Sequence, residues 1–191
     1  MDPPTSSVIC ALYPGKDVHS SEIQACFDIV QSTSATDYKS SALKWRPSEK
    51  LKEMQDEDMW YILLRDPDPA NASPTRDMTS FSPIIGFLSF MFTHDDPPHQ
   101  HRTVLYIYEV HLIDSYRGKG LGTHLMETID EIAKFVRLNK IMLTVFTSNT
   151  GGRRLYEKLG FVKDECCPPI RQVRRRTIEP DYLILSKELA D

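Results

Sequence analysis

Long hydrophobic runs are missing from this sequence of 191 residues. The longest nearly apolar stretch, residues 84–92, is far shorter than the roughly 20 residues that a membrane-spanning helix needs. The start, Met-Asp-Pro-Pro, has neither the basic residues nor the apolar segment of a secretion signal, and it lacks the glycine that myristoylation requires. We therefore expect a soluble intracellular protein with no membrane partner.

Cysteine is scarce and is not arranged for metal binding. The four residues, Cys10, Cys26, Cys166 and Cys167, include no C-x-x-C pair, and no histidine lies near the adjacent pair. Zinc sites need cysteine and histidine at short, regular spacings. The sequence therefore predicts free thiols in a reducing compartment and no metal.

Neither sign of charge dominates the whole chain. Residues 1–100 contain 8 lysines and arginines against 15 acidic residues, whereas residues 101–191 contain 15 against 12. A nucleic-acid partner is not expected, because no half is strongly basic, and we interpret the basic run at residues 171–176 as a solvated loop. The asymmetry suits a protein that binds an anionic cofactor and a cationic substrate.

Proline is absent from residues 99–167, a window that holds six of the eight glycines. We interpret this window as the organised part of a single domain. Within that domain, residues 1–57 are expected to form an N-terminal extension that packs on a core of residues 58–191. The order of elements predicts an α/β (α+β) fold with a mixed, mostly antiparallel sheet flanked by helices.

Apolar spacing and turn residues give the expected elements. A parallel strand pair is expected on either side of the longest helix, joined by a right-handed crossover. Residues 65–80 and 94–101, rich in Asp, Pro and His, are expected to be loops. The helices are predicted at residues 21–30, 47–54, from 121 to 136, and 150–159, and the strands at 60–64, 84–93, 104–113, 140–147, from 161, and 181–186.

The most informative segment is the turn at residues 117–122, where a strand ends and a helix begins. It contains Gly118, Gly120 and Gly122 together with Arg117 and Lys119. Backbone N–H groups at a glycine-rich helix start bind anions, and the helix dipole assists them. Neither the P-loop nor the dinucleotide-binding pattern fits the spacing, so a plain turn remains the alternative from glycines alone.

Two motifs resemble those of the GCN5-related acetyltransferases, the GNAT family. Arg117-x-x-Gly120-x-Gly122 matches the acetyl-CoA signature Q/R-x-x-G-x-G/A, and Asn149-x-x-Gly152-x-x-Leu155-Tyr156-Glu157-Lys158-Leu159-Gly160-Phe161 is similar to N-x-x-A-x-x-L/F-Y-E-K-x-G-F. Gly152 replaces the usual alanine. A narrower likeness at residues 59–61, 105–110, 140–146 and 181–186 resembles the branch of the family that acetylates the amino termini of histones beginning Ser-Gly-Arg-Gly.

This resemblance implies the fold, the activity and the partners. The expected co-substrate is acetyl-CoA, the expected protein partner is the histone N-terminal tail, and no auxiliary subunit is expected. The implied location is the cytoplasm and nucleus. The residues implied to bind the cofactor are Val110, His111, Leu112, Arg117, Gly118, Lys119, Gly120, Leu121, Gly122 and Asn149; Asn149 is equally suited to cap a helix.

The same resemblance implies the catalytic and substrate-binding groups. Glu109 is the candidate general base, acting directly or through water, with Tyr108 shaping the slot and Tyr156 donating to the departing thiolate. The substrate-binding candidates are Tyr61, Asp95, Asp96, Tyr106, Tyr108, Thr144 and Tyr182, with Trp60 as a further contact. Strand alternation places Tyr106 and Tyr108 on the face opposite Glu109, so a common pocket requires a bulge near Glu109.

Other interpretations stay open from the sequence. Glu109 as a solvent-facing charge, and Tyr106, Tyr108 and Tyr156 as packing residues, are the structural alternatives. The functional alternatives are an acetyltransferase for lysine side chains or a small amine, and a binding module that has lost catalysis.

Overall fold

Seven strands form one mixed sheet in the computed structural model, which describes residues 8–67, 82–173 and 176–189. The order across the sheet is β1-β2-β3-β4-β5-β9-β6; β4 and β5 are parallel, and all other neighbours are antiparallel. A separate hairpin pairs β7 with β8. The strands are β1 (Ile9–Pro14), β2 (Trp60–Arg65), β3 (Ile84–His94), β4 (Thr103–Leu112), β5 (Lys140–Phe146), β6 (Val162–Lys163), β7 (Arg171–Val173), β8 (Arg176–Ile178) and β9 (Tyr182–Glu188).

Helices cover both faces of the sheet. The first pair, α1 (Ser20–Ser40) and α2 (Pro47–Met54), packs on one face, and the second pair, α3 (Leu121–Phe135) and α4 (Thr150–Lys158), packs on the other. Alternation along β2 shows the division, because Tyr61 and Leu63 face α1 and α2, whereas Ile62 and Leu64 face α3. Each fully buried aliphatic side chain of these two cores contributes about 1.5–3 kcal/mol.

The predicted fold class is confirmed, including the parallel strands on either side of α3. Several element boundaries differ from the prediction. Helix α1 continues ten residues past the expected end at residue 30, β1 was not predicted, and the expected basic loop contains the β7–β8 hairpin. Most of the loop expected at residues 65–80 lies outside the described residues; its first residue, Arg65, ends β2.

The second half of α1 is held by polar contacts rather than by an apolar stripe. Hydroxyls of Ser32, Thr33 and Ser40 donate to carbonyl oxygens one turn earlier, and Asp37 accepts from Ser148 at 2.7 Å. Such back-bonding residues are weak helix formers. Tertiary contacts therefore override the local preference, which is why apolar spacing ended the predicted helix too early.

A buried lysine joins the start of β5 to two loops. The Lys140 ammonium lies 3.0 Å from Asp95 Oδ2 and 2.8 Å from Asp164 Oδ2, and all three side chains are buried. Arg102 adds a second cation to Asp95 at 2.7 Å. Burial alone would raise the pKa of Asp95, but hydrogen bonds from Lys140 and Arg102 hold that pKa below its usual range.

We expect Lys140→Met to destabilise the fold by about 3–5 kcal/mol, because it leaves two buried carboxylates without their shared cation. Denaturant unfolding at neutral pH would measure the loss. The control is Lys163→Met on the exposed β6, which should change the unfolding free energy by less than about 0.5 kcal/mol. Equal stability of the two variants would show that Lys140 is not needed to balance these carboxylates.

Candidate active site

A bulge in β4 brings the predicted catalytic side chains together. The register pairs Ser89 with Glu109 and Phe90 with Ile107, so Tyr108 is an extra residue on β4. Ile107 and Val110 consequently both pack toward α3, and Tyr108 and Glu109 both lie on the opposite side. The bulge that strand alternation required for a common pocket is therefore present.

Beyond the bulge, the two parallel strands separate. Their ladder consists of three pairs and ends where Ile107 meets Leu143. A cavity of about 490 Å³ opens at that point, between the ends of β4 and β5. Its lining includes the site candidates Tyr106, Tyr108, Glu109, Val110, His111, Thr144, Asn149, Tyr156, Tyr182 and Asp96.

Glu109 is buried at the base of this cavity and accepts from three donors. The Lys50 ammonium lies 2.9 Å from Oε1, the Tyr38 hydroxyl donates to the same oxygen at 3.0 Å, and His111 Nε2 lies 2.5 Å from Oε2. Burial alone would raise the pKa of Glu109, but the charge of Lys50 and the bond to His111 lower it to about 2. The carboxylate is therefore ionised over the whole physiological range.

His111 is bonded at both ring nitrogens. Its Nδ1 lies 2.8 Å from the hydroxyl of Thr33, which also donates to the Ile29 carbonyl at 2.7 Å. Its Nε2 bonds to Glu109, which as a carboxylate can only accept. The Glu109 carboxylate is therefore held between His111 and Lys50.

Tyr156 reaches the cavity from α4. Its ring packs against Phe161, and its side chain is buried. Burial, followed by the negative charge of Glu109, raises the pKa of Tyr156, so the hydroxyl stays protonated. Within the described ranges the hydroxyl has no protein hydrogen-bond partner, which leaves its proton available to a bound ligand.

The predicted substrate-binding residues divide into two groups. Tyr106 and Thr144 line the cavity and hydrogen-bond to each other, with their oxygens 2.6 Å apart, and Tyr182 and the exposed Asp96 also line it. Burial raises the pKa of Tyr106 to about 12. These four side chains are placed where a substrate can contact them.

Two predicted substrate contacts lie elsewhere, and we correct them. The Asp95 carboxylate is 4% exposed, and its two oxygens accept from Lys140, Arg102 and the Asp96 amide, so it has no free position for a substrate. Tyr61 is fully buried and donates to the Met54 carbonyl. Trp60, the further contact, packs against Phe90 and Phe92.

The glycine-rich turn has the backbone that an anion site needs. Gly118 and Gly120 have φ values of 73° and 83°, where other residues are strained, and a Cβ on either would meet no protein atom within 4 Å. No side chain caps the start of α3, and its first turn carries no acidic residue. Its N–H groups therefore face open space, with the exposed Arg117 beside them.

Other predicted cofactor-binding residues also make contacts within the protein itself. Gly122 packs closely against α4, because a Cβ there would lie 3.3 Å from Leu155 Cδ2. Leu112 and Leu121 pack against the α3–α4 core, so only their backbones are free to bind a ligand. Asn149 caps α4 by accepting from the Gly152 amide at 2.8 Å, and it also borders the cavity.

Sequence reasoning missed three residues that contact Glu109 or His111. Thr33 and Tyr38 lie on the part of α1 that was not predicted, and no apolar pattern marks them. Lys50 carries a weak signal, because it lies four residues before the buried Met54 on the predicted α2 and therefore shares its face.

A family model for the acetyltransferase (GNAT) family matches residues 35–161. The chain belongs to this GNAT family. The expectation of acetyl-CoA as its acetyl donor is confirmed at this level, and the open cleft and the uncapped glycine turn fit an elongated ligand with phosphate groups. In the described ranges, no group of three or more His, Cys, Asp or Glu residues is arranged to hold a metal. No helix there has the length and apolarity to cross a membrane.

Two curated relatives share part of the sequence. N-alpha-acetyltransferase 40 of Saccharomyces cerevisiae is 39% identical over an alignment of 95 residues, and the match covers 42% of this chain and 33% of that protein. The uncharacterized N-acetyltransferase YycN of Bacillus subtilis is 35% identical over 78 residues, which is 41% of this chain and 47% of that one. The chain therefore spans between a third and a half of the length of these relatives.

Solved structures share the fold over nearly the whole chain. NAA60 of Arabidopsis thaliana with a bisubstrate analogue has a TM-score of 0.64 at 12% identity, covering 95% of this chain and 100% of that chain. The NatC complex bound to Gag peptide and CoA has a TM-score of 0.58 at 19% identity, covering 96% and 99%.

We expect Gly120→Val to abolish acetyl-CoA binding, because a β-branched residue is strained at this φ and its side chain would stand before the N–H groups of α3. Titration calorimetry would measure the affinity. The matched control is Gly160→Val at the end of α4, where φ is 89°, since it adds the same backbone strain away from the turn. Unchanged affinity in Gly120→Val would remove the phosphate-binding role of this turn.

Proposed function

We propose that this protein is an N-alpha-acetyltransferase of the NatD type, which transfers the acetyl group of acetyl-CoA to the free N-terminal Ser of histones beginning Ser-Gly-Arg-Gly. We further propose that it acts without an auxiliary subunit, in the cytoplasm and nucleus. One observation carries the proposal above all. The segment of residues 105–110, on which the resemblance to these enzymes depends, forms the cavity wall with Tyr106, Tyr108 and Glu109.

The proposed reaction is direct attack by the substrate amine on the acetyl thioester. The amine enters beside Tyr106 and Tyr108, and the thioester lies in the opening between β4 and β5. As the new C–N bond forms and the C–S bond breaks, the sulfur becomes a thiolate. The Tyr156 hydroxyl, which is protonated and has no described partner, donates a hydrogen bond to that sulfur.

An α-amine makes this chemistry easier than a lysine side chain does. Its pKa of about 8 leaves roughly a tenth of it neutral at pH 7, whereas a lysine ammonium has a pKa of about 10.4. Glu109 has a pKa of about 2 and is too weak a base to keep the proton. We therefore assign Glu109 to orienting the amine, or a water that carries its proton away.

We expect Glu109→Gln to lower kcat about 10²-fold or more, because the amide cannot accept from all the donors that surround the carboxylate. The acid limb of kcat/KM should still follow the peptide amine in both proteins, since Glu109 is ionised throughout that range. Steady-state kinetics between about pH 6 and 9 would check both points.

The substitution also removes the buried carboxylate that Lys50 and His111 share and leaves Lys50 paired with Glu53 alone, so the free energy of unfolding should fall by about 3–5 kcal/mol. Kinetics must therefore be run where circular dichroism shows the variant folded. The control Glu127→Gln removes an exposed carboxylate of α3 and should alter neither quantity. A kcat within about fivefold of wild type would assign the orientation of the amine to another group.

The remaining acidic candidate for the substrate Arg is Asp96. It borders the cavity, it is exposed, and its backbone is anchored by the neighbouring Asp95, whose carboxylate accepts from the Asp96 amide at 2.8 Å. A carboxylate held in this way is well placed to bind a guanidinium. Tyr106 and Thr144, which hydrogen-bond to each other, line the part of the cavity where the small Ser and Gly that precede that Arg would lie.

We expect strong preference for a free Ser-Gly-Arg-Gly amino terminus over the same peptide with a blocked terminus. Asp96→Asn should raise KM for the free peptide about tenfold, as should changing the peptide Arg to Ala, and the two changes should not add because they remove one contact. Competitive acetylation read by mass spectrometry would measure the preference, and Glu127→Gln again serves as the charge-matched control.

Each result of this competition separates two interpretations. Equal acetylation of lysines in the blocked peptide would make the protein a lysine acetyltransferase of the same family. Indifference to the peptide Arg would leave N-terminal acetylation standing and would remove the role of Asp96.

A further inference from the structure

Lys50 is a largely buried cation that belongs to neither family motif. It lies on α2, its side chain is 11% exposed, and its ammonium is shared between Glu109 at 2.9 Å and Glu53 at 2.5 Å. It also lies over the Tyr38 ring, 5.1 Å from the centroid. Burying a lysine ammonium lowers the stability of the fold unless its hydrogen bonds are made, so we asked what this position contributes.

We propose that Lys50 is a positioning residue for acetyl transfer, which holds the Glu109 carboxylate ionised and in place at the open ends of β4 and β5. The effect of Lys50 on catalysis rests on the proposed function. The hold on Glu109 is a property of the folded protein and can be measured without any substrate.

The surroundings of Glu109 show why Lys50 decides its charge. The titratable groups that face it are Tyr38 from α1, Lys50 and Glu53 from α2, Tyr61 from β2, His111 from β4 and Tyr156 from α4. Burial favours the protonated form, and of the influences that oppose it the charge of Lys50 is the largest. Removing Lys50 also frees the negative charge of Glu53, which disfavours a second carboxylate nearby.

The geometry also makes Lys50 a restraint on orientation. Tyr38 and Lys50 donate to Oε1, while His111 bonds to Oε2, so the carboxylate is fixed at both oxygens. Without Lys50, Oε1 loses one of its two donors, and the carboxylate can take up a proton. A protonated Glu109 accepts fewer hydrogen bonds and no longer presents a negative charge to the cavity.

The experiment compares Lys50→Met with Lys52→Met, which removes an exposed lysine from the same helix, and with Lys50→Arg, which keeps the charge. Carbon-13 NMR of protein labelled at glutamate side-chain carboxyls would follow Glu109, whose signal is identified by its absence in Glu109→Gln. In wild type and Lys52→Met this signal should not titrate down to about pH 4, where a glutamate with the ordinary pKa of about 4.3 is already more than half protonated. In Lys50→Met it should titrate between about pH 5 and 7.

Activity on the free-amine peptide gives a second measurement. Wild-type log kcat/KM should fall with slope 1 below about pH 8, where the substrate amine becomes protonated. In Lys50→Met the slope should steepen toward 2 once Glu109 also takes up a proton, so the variant should lose roughly a further tenfold relative to wild type between about pH 7.5 and 5.5. Lys50→Arg should restore most of the wild-type profile.

The outcomes distinguish the two proposals. A wild-type Glu109 signal that titrates at an ordinary glutamate value overturns the role of Lys50, and this test does not depend on any variant folding. A pH profile of Lys50→Met that parallels that of Lys52→Met also overturns it. Absence of acetylation by the wild type, with the NMR result as expected, refutes the proposed function and leaves the hold of Lys50 on Glu109 intact.

Discussion

The early end of the ladder between β4 and β5 is the constraint on which the rest of this molecule depends. Parallel pairing stops at Ile107 and Leu143. The extra residue Tyr108 then exchanges the sheet faces on which the following residues of β4 lie. An opening in the middle of a sheet leaves backbone groups without their usual partners and gives a long ligand access to them. The cavity and the place of Glu109 both follow from this single interruption.

Opening a sheet at its centre exposes an interior that must be satisfied in another way. Helices α1 and α2 do this with polar side chains, because Thr33, Tyr38 and Lys50 complete the hydrogen bonds of His111 and Glu109. The cluster is almost fully bonded, as a low-dielectric setting requires. The opposite face, under α3 and α4, is apolar and supplies the packing that keeps the interrupted sheet together.

Much of the fold was predictable from sequence, because apolar period and glycine position report local geometry directly. The ends of α2, α3 and α4 and the turn before Leu121 agree with the prediction within about two residues. The failures share a physical cause. The late half of α1 and the burial of Asp95 depend on partners far away in sequence, Glu109 and Lys140, and a charged side chain looks the same in sequence whether it is solvated or paired.

The anchoring of the β3–β4 connection by Lys140 has an evolutionary consequence. Stability is stored beneath this turn, in the ion pairs of Asp95 with Lys140 and Arg102, while Asp96 and the exposed prolines after it contribute none of those bonds. The side chains of residues 96–98 can therefore be exchanged without removing any of these ion pairs. Under the proposed function, which places Asp96 at the substrate Arg, exchanging these few surface residues would change the substrate preference, and a protein engineer could use the same short segment to redirect the reaction.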